Sequence, residues 1–313
     1  MASSSTSQKQ YRIAIIGLGM VGTPIKDFLE AERGYRRGTD LFLYDKDPAK
    51  AYRDDVNQAD IIFISVPTPP GPGGGADISA VRDAFAHIKK EDAIVVIKST
   101  VPPGTTETLQ REYPKRRVLF NPEFLTEKRA GEDFRRPDRQ IVGFTDSSLD
   151  AAYAVLSILP RAPFMSPGGV GTYRPVRITA TEAEIIKYGG NVHFARKINL
   201  ANILAGLAEN HHMDYENVRL GMSADYRIGD SHLDVAHGGY RGFGGFCFPK
   251  DLDALIAHLE ERGLADAAAL LKKDREYNER LLASQGLTLQ DVSVHDHEWI
   301  KKKMSGHKPS SGA

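Results

Sequence analysis

Residues 11–22 read YRIAIIGLGMVG. Tyr11 to Gly17 is a short run rich in β-branched residues that ends in glycine, the signature of a buried strand. It passes straight into a Gly-x-Gly-x-x-Gly formed by Gly17, Gly19 and Gly22. At a strand-to-helix turn, such glycines permit the tight turn and let a pyrophosphate approach the amides that open the helix. Asp45 follows a second apolar run, LFLY at 41–44, about twenty residues beyond Gly22. An acid there holds the adenosine ribose hydroxyls and disfavours a 2′-phosphate, which points to NAD rather than NADP. The plainer alternative is a glycine-rich turn with a solvated aspartate.

Three more runs repeat the first: IIFISV at 61–66, AIVVI at 93–97 and VLF at 118–120, with helix-like or loop-like stretches between them. Continuous rather than alternating apolar strands suit a parallel sheet covered on both faces and joined by right-handed crossovers. The expectation is an α/β fold whose first domain, 11–176, is a Rossmann-type doubly wound parallel sheet. Near Arg177 the composition changes, and residues 178–212 read as one long helix. Two overlapping capping boxes mark its start, Thr179 with Glu182 and Thr181 with Glu184. No strand is expected beyond it. A helix after Asp214, an irregular Gly- and His-rich stretch from Asp225 to Phe248, and two helices between Pro249 and Leu282 complete an all-helical second domain, 177–285. The polar ends, 1–10 and 286–313, are expected to be frayed.

A chain of 313 residues is long enough for two cores. Lys plus Arg and Asp plus Glu both number 41, so the electrostatic footprint of most nucleic-acid or anionic-membrane binders is missing. Small molecules, or a second copy, are the expected partners. One cysteine, Cys247, cannot form an internal disulfide, which suits a reducing, cytoplasmic compartment. The start MASSSTSQKQ has no signal-peptide core, and no stretch approaches the ~18 apolar residues of a membrane span.

SVPTPP at 65–70 and KSTVPPG at 98–104 place Thr68 and Thr100 at strand C-termini. Open parallel sheets bind ligands there, although threonines beside prolines also serve simply as turn formers. PGPGGGAD at 70–77 reads as a flexible loop over this edge. NPEFLTEK at 121–128 sets Glu123 and Glu127 just after the fifth strand, where acids suit a substrate hydroxyl or an activated water. Lys187 and Asn191 share a helix face and could converge on one oxygen; alone, such a pair is as readily a solvated face. Gly189 and Gly190 between them each cost about 1 kcal/mol in a helix, which close approach of a backbone or ligand would justify. Cys247 sits in FGGFCFPKD at 243–251. A lone cysteine is often an apolar filler. Here the glycines and Lys250 suit a nucleophile, because a thiolate needs access and nearby positive charge. The histidines, His211, His212 and His237 among them, show no metal-ligand spacing, so no metal is expected.

In order, GLGMVG, SVPTP, KSTVPPG, NPEFLTEK with PDRQIVG, EAEIIKYGGN, DYRIG and GFGGFCFPKD resemble the UDP-glucose/GDP-mannose dehydrogenase family, most of all its UDP-glucose 6-dehydrogenases, over roughly residues 11–285. The resemblance implies a four-electron oxidation of a nucleotide-sugar primary alcohol to the uronic acid, with two NAD per substrate. Cys247 would attack the aldehyde of the first hydride transfer, and the thiohemiacetal would lose a second hydride to become a thioester. Lys187 and Asn191 match the pair that stabilises oxyanion charge. Thr100 and Asp251 match positions that order a catalytic water, and Glu127 the acid linked to thioester hydrolysis. The same matching places Gly17, Gly19, Met20, Val21, Gly22, Asp45, Thr68 and Thr100 at the cofactor. It places Glu123, Phe124, Leu125, Lys187, Asn191, Tyr240 and Gly244 at the substrate, with Arg227 reaching in from a neighbouring subunit. A homodimer through the long helix follows.

This chain departs from the pattern at Asn202-Ile203, where the family commonly has Asn-Glu, and in a slightly longer loop between DYRIG and the cysteine. The family also continues into a third, Rossmann-like domain that closes over the nucleotide. The chain stops where that domain would begin, so nucleotide recognition is expected to be incomplete unless a separate chain supplies it. Losing remote binding energy would lower the rate as well as the affinity. Two other readings stand beside this one: a two-electron β-hydroxyacid dehydrogenase, which shares a Lys-xxx-Asn pair but has no use for Cys247, and a non-catalytic NAD-binding relic or partner subunit.

Overall fold

A computed structural model describes residues 11–168 and 176–294. The expectations for 1–10 and for 295–313 fall outside these residues. Strands β1 (Ile13–Ile16), β2 (Leu41–Tyr44), β3 (Ile61–Ile64), β4 (Ile94–Ile97) and β5 (Arg117–Phe120) pair in parallel in the order β2-β1-β3-β4-β5. Helices α1 (Gly22–Arg33), α2 (Ser79–His87) and α3 (Thr105–Glu112) follow β1, β3 and β4, while 3-10 turns join β2 to β3. The five apolar runs of the sequence are these five strands. Side chains on the two faces enter separate cores. Ile13, Ile15, Leu41, Leu43, Ile61 and Phe63 lie in one, and Ala14, Ile16, Phe42, Ile62, Ile64, Val95 and Ile97 in the other. Each large side chain so buried contributes about 1.5–3 kcal/mol, which is why the runs are apolar almost throughout.

Periodicity did not reveal the far side of the sheet. After α4 (Ala130–Arg135), β6 (Arg139–Ile141) precedes β7 (Gly143–Phe144), which adds antiparallel to β5. Then come α5 (Leu149–Ile158) and β8 (Phe164–Ser166), which pairs with β6. Strands of two or three residues are too short to show a period.

The described residues divide into two compact units, one within 1–68 and 78–187, the other within 69–77 and 188–313. The division falls inside the long helix α6 (Ala180–Asn210), ten residues beyond the compositional change at Arg177. The first turns of α6 belong to the sheet unit for packing reasons. Ala180 and Ala183 are fully buried in one of its cores. A β-carbon on Gly143 would stand 2.7 Å from Ala183 Cβ and 2.8 Å from Thr179 O, so the strand and the helix start touch backbone to backbone. Thr179 and Glu182 form a capping box: the Thr179 amide and hydroxyl both donate to Glu182 Oε2, at 2.7 and 2.9 Å. The second expected box does not form. Thr181 lies inside the helix, and Glu184 turns instead to α3.

The second unit is helical among its described residues. It contains the remainder of α6, α7 (Tyr215–Ser223, capped by Asp214), α8 (Phe248–Glu261), α9 (Ala265–Ala283) and α10 (Leu289–Val292). Its core gathers Val192, Ala195, Phe243, Leu252, Ile256, Ala268 and Leu271. Two expectations change here. Residues 69–77 form a closed turn, with Asp77 N donating to Pro69 O at 2.8 Å and Gly71 N to Gly75 O at 2.6 Å, and Gly74 packs beside Asp253 of α8. The segment after 286 is folded as far as 294: α10 carries a complete capping box, and Val292 is buried.

Candidate active site

In the sheet unit, the strand order reverses between β1 and β3, the place where open parallel sheets bind ligands at their carboxyl ends. The three glycines of the first motif have different reasons to be there. Gly17 has φ +93°, and a β-carbon on it would stand 2.7 Å from Ser65 O in the loop after β3. Gly22 lies against the Gly17 carbonyl. Around Gly19, among the described residues, nothing stands within 4 Å of the missing β-carbon. The turn is therefore closed on the protein side and open at its middle glycine. Met20 and Val21 lead into α1, whose N-terminus receives no side-chain cap.

Asp45 is buried at the end of β2, where Oδ2 accepts from Leu18 N at 2.7 Å and from Lys50 Nζ at 2.9 Å, and Oδ1 accepts from Asp47 N at 2.9 Å. Burial works against its charge, but those amides and Lys50 outweigh it and hold the carboxyl below its usual range. The expected ribose-binding acid is thus an ionised group tied to the glycine turn. Lys50, which spacing alone did not single out, supplies a cation beside it. Thr68 is buried and Thr100 half-buried, each in the loop after its strand. Ser99 ties these loops together by donating to Val66 O at 2.7 Å.

Lys187 and Glu123 form a buried ion pair. Lys187 Nζ donates to Glu123 Oε1 at 2.6 Å and to its carbonyl at 2.8 Å, while Leu125 N donates to the other carboxylate oxygen at 2.8 Å. Burial pushes the Glu123 carboxyl up, but Lys187, the Leu125 amide and Lys98 hold it below its usual value. Glu123 is therefore the counter-ion of Lys187, where the sequence had suggested an acid facing a hydroxyl or a water. Phe124 lies under the Arg139 guanidinium, 3.7 Å from ring centre to Cζ. Lys98 was missed in the sequence because lysine beside a strand end reads as solvated. It is buried and donates to Asn121 Oδ1 at 2.7 Å, and burial lowers its ammonium to about 7. Glu127 is half-buried and opens a short 3-10 turn, Glu127–Arg129.

In the helical unit, Cys247 is the N-cap of α8, half-buried, with Pro249 in the first turn. Asp251 is buried one turn on and accepts from Asn191 Nδ2 at 2.5 Å and from Lys250 Nζ at 2.6 Å; its amide donates to Cys247 O at 3.0 Å. Cysteine, cation and carboxylate thus occupy one short stretch at the positive end of a helix dipole, and α6 brings the Asn191 amide to it. Two glycines of the Cys247 loop meet neighbours: Gly242 (φ +102°) lies against Asn278 and Gly244 against Tyr240 and Val292. Gly189 and Gly190 differ. Among the described residues nothing comes within 4 Å of their missing β-carbons, so no other segment of this chain makes the close approach. Arg227 is 74% exposed at its side chain and pairs with Asp225, while Lys197 of α6 holds its loop by donating to Ile228 O at 2.7 Å. A ring stack, Phe194 on His232 at 4.2 Å with His232 against Phe248 at 5.6 Å, anchors the loop before the cysteine; nothing in the sequence pattern announced it. His211 and His212 are exposed at the end of α6. No group of His, Cys, Asp or Glu among the described residues is placed to hold a metal ion.

Two family domains match this chain. The NAD binding domain of the UDP-glucose/GDP-mannose dehydrogenase family covers residues 47–157, and its central domain covers 181–280. The chain belongs to the UDP-glucose/GDP-mannose dehydrogenase family. Among its relatives, the UDP-glucose 6-dehydrogenase of Pseudomonas aeruginosa is 39% identical over 223 residues, which is 67% of this chain and 47% of that one. The enzyme of that name from Rickettsia bellii is 37% identical, over 78% of this chain and 55% of its own length. The structure of a UDP-glucose dehydrogenase from Pyrobaculum islandicum superimposes with a TM-score of 0.72 at 30% identity, covering 88% of this chain and 69% of that one. The chain spans about half the length of the curated relatives it matches. No described helix is long and apolar enough to cross a membrane.

Proposed function

We propose that this family member carries out an NAD-dependent, four-electron oxidation of a nucleotide-sugar primary alcohol to the uronic acid, UDP-glucose to UDP-glucuronate, with Cys247 as a covalent nucleophile. The observation that carries the reading is Cys247 at the N-cap of α8, with Asp251 one turn on held between Asn191 and Lys250. The open Gly19, the uncapped start of α1 and the ionised Asp45 suit a dinucleotide, pyrophosphate at the helix end and ribose at the acid. Bound NAD supplies a hydride acceptor. A neutral alcohol that loses a hydride and a proton becomes an aldehyde; Cys247 adds as thiolate, and the protonated adduct is a thiohemiacetal. Loss of a second hydride and a proton leaves a thioester, and water releases the acid and regenerates the thiol. Two NAD are reduced per sugar.

On this reading Asn191 and Lys187 stabilise the oxyanion, Asp251 with Thr100 orients the water, and Glu127 assists hydrolysis. Glu123 holds Lys187 in place, while Phe124, Leu125, Tyr240 and Gly244 shape the sugar site. The protein is cytoplasmic and dimeric, with Arg227 offered to the partner subunit. The half-exposed row Leu200, Ile203 and Leu207 on α6 supports that dimer, because it leaves an apolar stripe uncovered on one chain.

The test is NADH formed per UDP-glucose consumed, for the intact protein and for Cys247→Ser, with intact mass to trap an acyl-enzyme. Two NADH per sugar acid, lost in the variant, is the expected result. One NADH with a fully active variant would make this a two-electron dehydrogenase. NAD binding without any NADH would make it a non-catalytic partner.

A further inference from the structure

The stretch Arg241–Gly245, just before Cys247, is held at every second residue by a different side chain or carbonyl from the C-terminal part of the unit. Arg241 N donates to Gln285 Oε1 at 2.8 Å, and Gln285 Nε2 donates to Arg241 O at 2.9 Å. Phe243 N donates to Asn278 Oδ1 at 2.7 Å, and Asn278 Nδ2 donates to Phe243 O at 2.9 Å. Gly245 N donates to Val292 O at 2.7 Å. The anchors 278, 285 and 292 are evenly spaced in the sequence. Asn278 lies within α9, Gln285 just past its end, and Val292 on α10, so the chain has to turn between them. Gly286 makes the turn, with φ +71°. Thr288 and Asp291 then fix α10 by their reciprocal box, and Val292 is 1% exposed.

The glycines between the anchors fit this brace. Gly242 presents its bare side to Asn278, and Gly244 has Val292 O at 2.7 Å and Val292 Cβ at 2.8 Å where a β-carbon would be. Gly245 has φ +72°, a conformation that side chains rarely adopt. The family's central domain match ends at 280, so two of the three anchors lie beyond it.

We infer that Gln285 and Val292 are positioning residues for Cys247, acting through the main chain of Arg241–Gly245 to set where the thiol sits at the start of α8. The inference rests on the catalytic reading of Cys247 for its effect on turnover, but not for its effect on the thiol. A sulfur displaced by about 1 Å from its attack position costs up to about a hundredfold in rate, whereas NAD binding in the other unit is unaffected.

The experiment compares Val292→Asp, Val292→Ala, Gln285→Ala and Val292→Thr, the last preserving shape. For each, the rate of Cys247 alkylation by iodoacetamide, kcat, KM for NAD and amide exchange at 288–294 are measured. Released variants should change the alkylation rate at least about fivefold and lower kcat at least about tenfold, with KM for NAD held within about twofold, while Val292→Thr stays near the parent. Val292→Ala and Gln285→Ala keep the test open if Val292→Asp fails to fold. Exchange showing 288–294 released while the alkylation rate and kcat stay at parental values would overturn the inference. A Cys247→Ser enzyme that turns over normally would instead overturn the catalytic reading and leave the alkylation result standing.

Discussion

Glu184→Gln should change how the stability of the sheet unit depends on pH. Glu184 is fully buried on α6 and accepts three hydrogen bonds at the start of α3: from Gly104 N at 2.6 Å, Thr106 N at 2.8 Å and Thr106 Oγ1 at 2.6 Å. Burial raises its carboxyl from 4.5 to about 7, against the pull of those donors and with a small push from Glu107. At about 1.4 kcal/mol for each tenfold change in proton affinity, that rise amounts to about 3 kcal/mol. The folded pKa lies above the unfolded one, so this stability is fully present below about pH 4.5 and is lost as the pH rises through about 7. Glutamine does not titrate. It turns an N–H toward one of the donors, but that cost is the same at every pH. The unfolding free energy of Glu184→Gln relative to the parent should therefore improve by about 3 kcal/mol between about pH 4 and about pH 8. Guanidinium unfolding of both proteins across that range measures the difference, with amide exchange at Gly104 and Thr106 identifying the transition that belongs to this unit. A difference flat to within about 0.5 kcal/mol would mean that the carboxyl ionises as in water, and the buried-cap argument would fail.

Two further substitutions test the packing. Gly143→Ala pushes a methyl to within 2.7 Å of Ala183 Cβ and 2.8 Å of Thr179 O, and should destabilise the sheet unit by about 1–3 kcal/mol, read as a lower midpoint in scanning calorimetry. Asn278→Leu keeps volume but leaves the Phe243 amide and carbonyl without partners in the core, at about 1–3 kcal/mol for each group, measured by urea unfolding of the helical unit. An unchanged midpoint in either variant would show that the contact relaxes freely.

Much of this was legible in the residues. The apolar runs within 11–17, 41–44, 61–66, 93–97 and 118–120 could be read as parallel strands because both faces of such a sheet are buried, which leaves few polar residues inside them. The glycine turn, Asp45 and the Cys247 motif were legible because their chemistry restricts residue type at close spacing. Lys50, Lys98, Asn278 and the His232 stack were not, because each is ordinary in its own neighbourhood and acquires its meaning from a partner elsewhere in the chain.

The case of Glu184 separates the two levels. Local pattern offered it a partner three residues away at Thr181, and the fold gave it one 78 residues away at Thr106. The sequence by itself determined the family, the succession of strands along the chain and the residue types around Cys247, since these rest on local period and short motifs. Only the tertiary structure decided that Glu123 neutralises Lys187, that α6 begins inside the sheet unit, and that Asn278, Gln285 and Val292 meet the main chain of Arg241–Gly245. Those outcomes depend on which buried charges and backbone amides meet once distant segments pack. Desolvation makes an unpartnered choice costly only in the folded state.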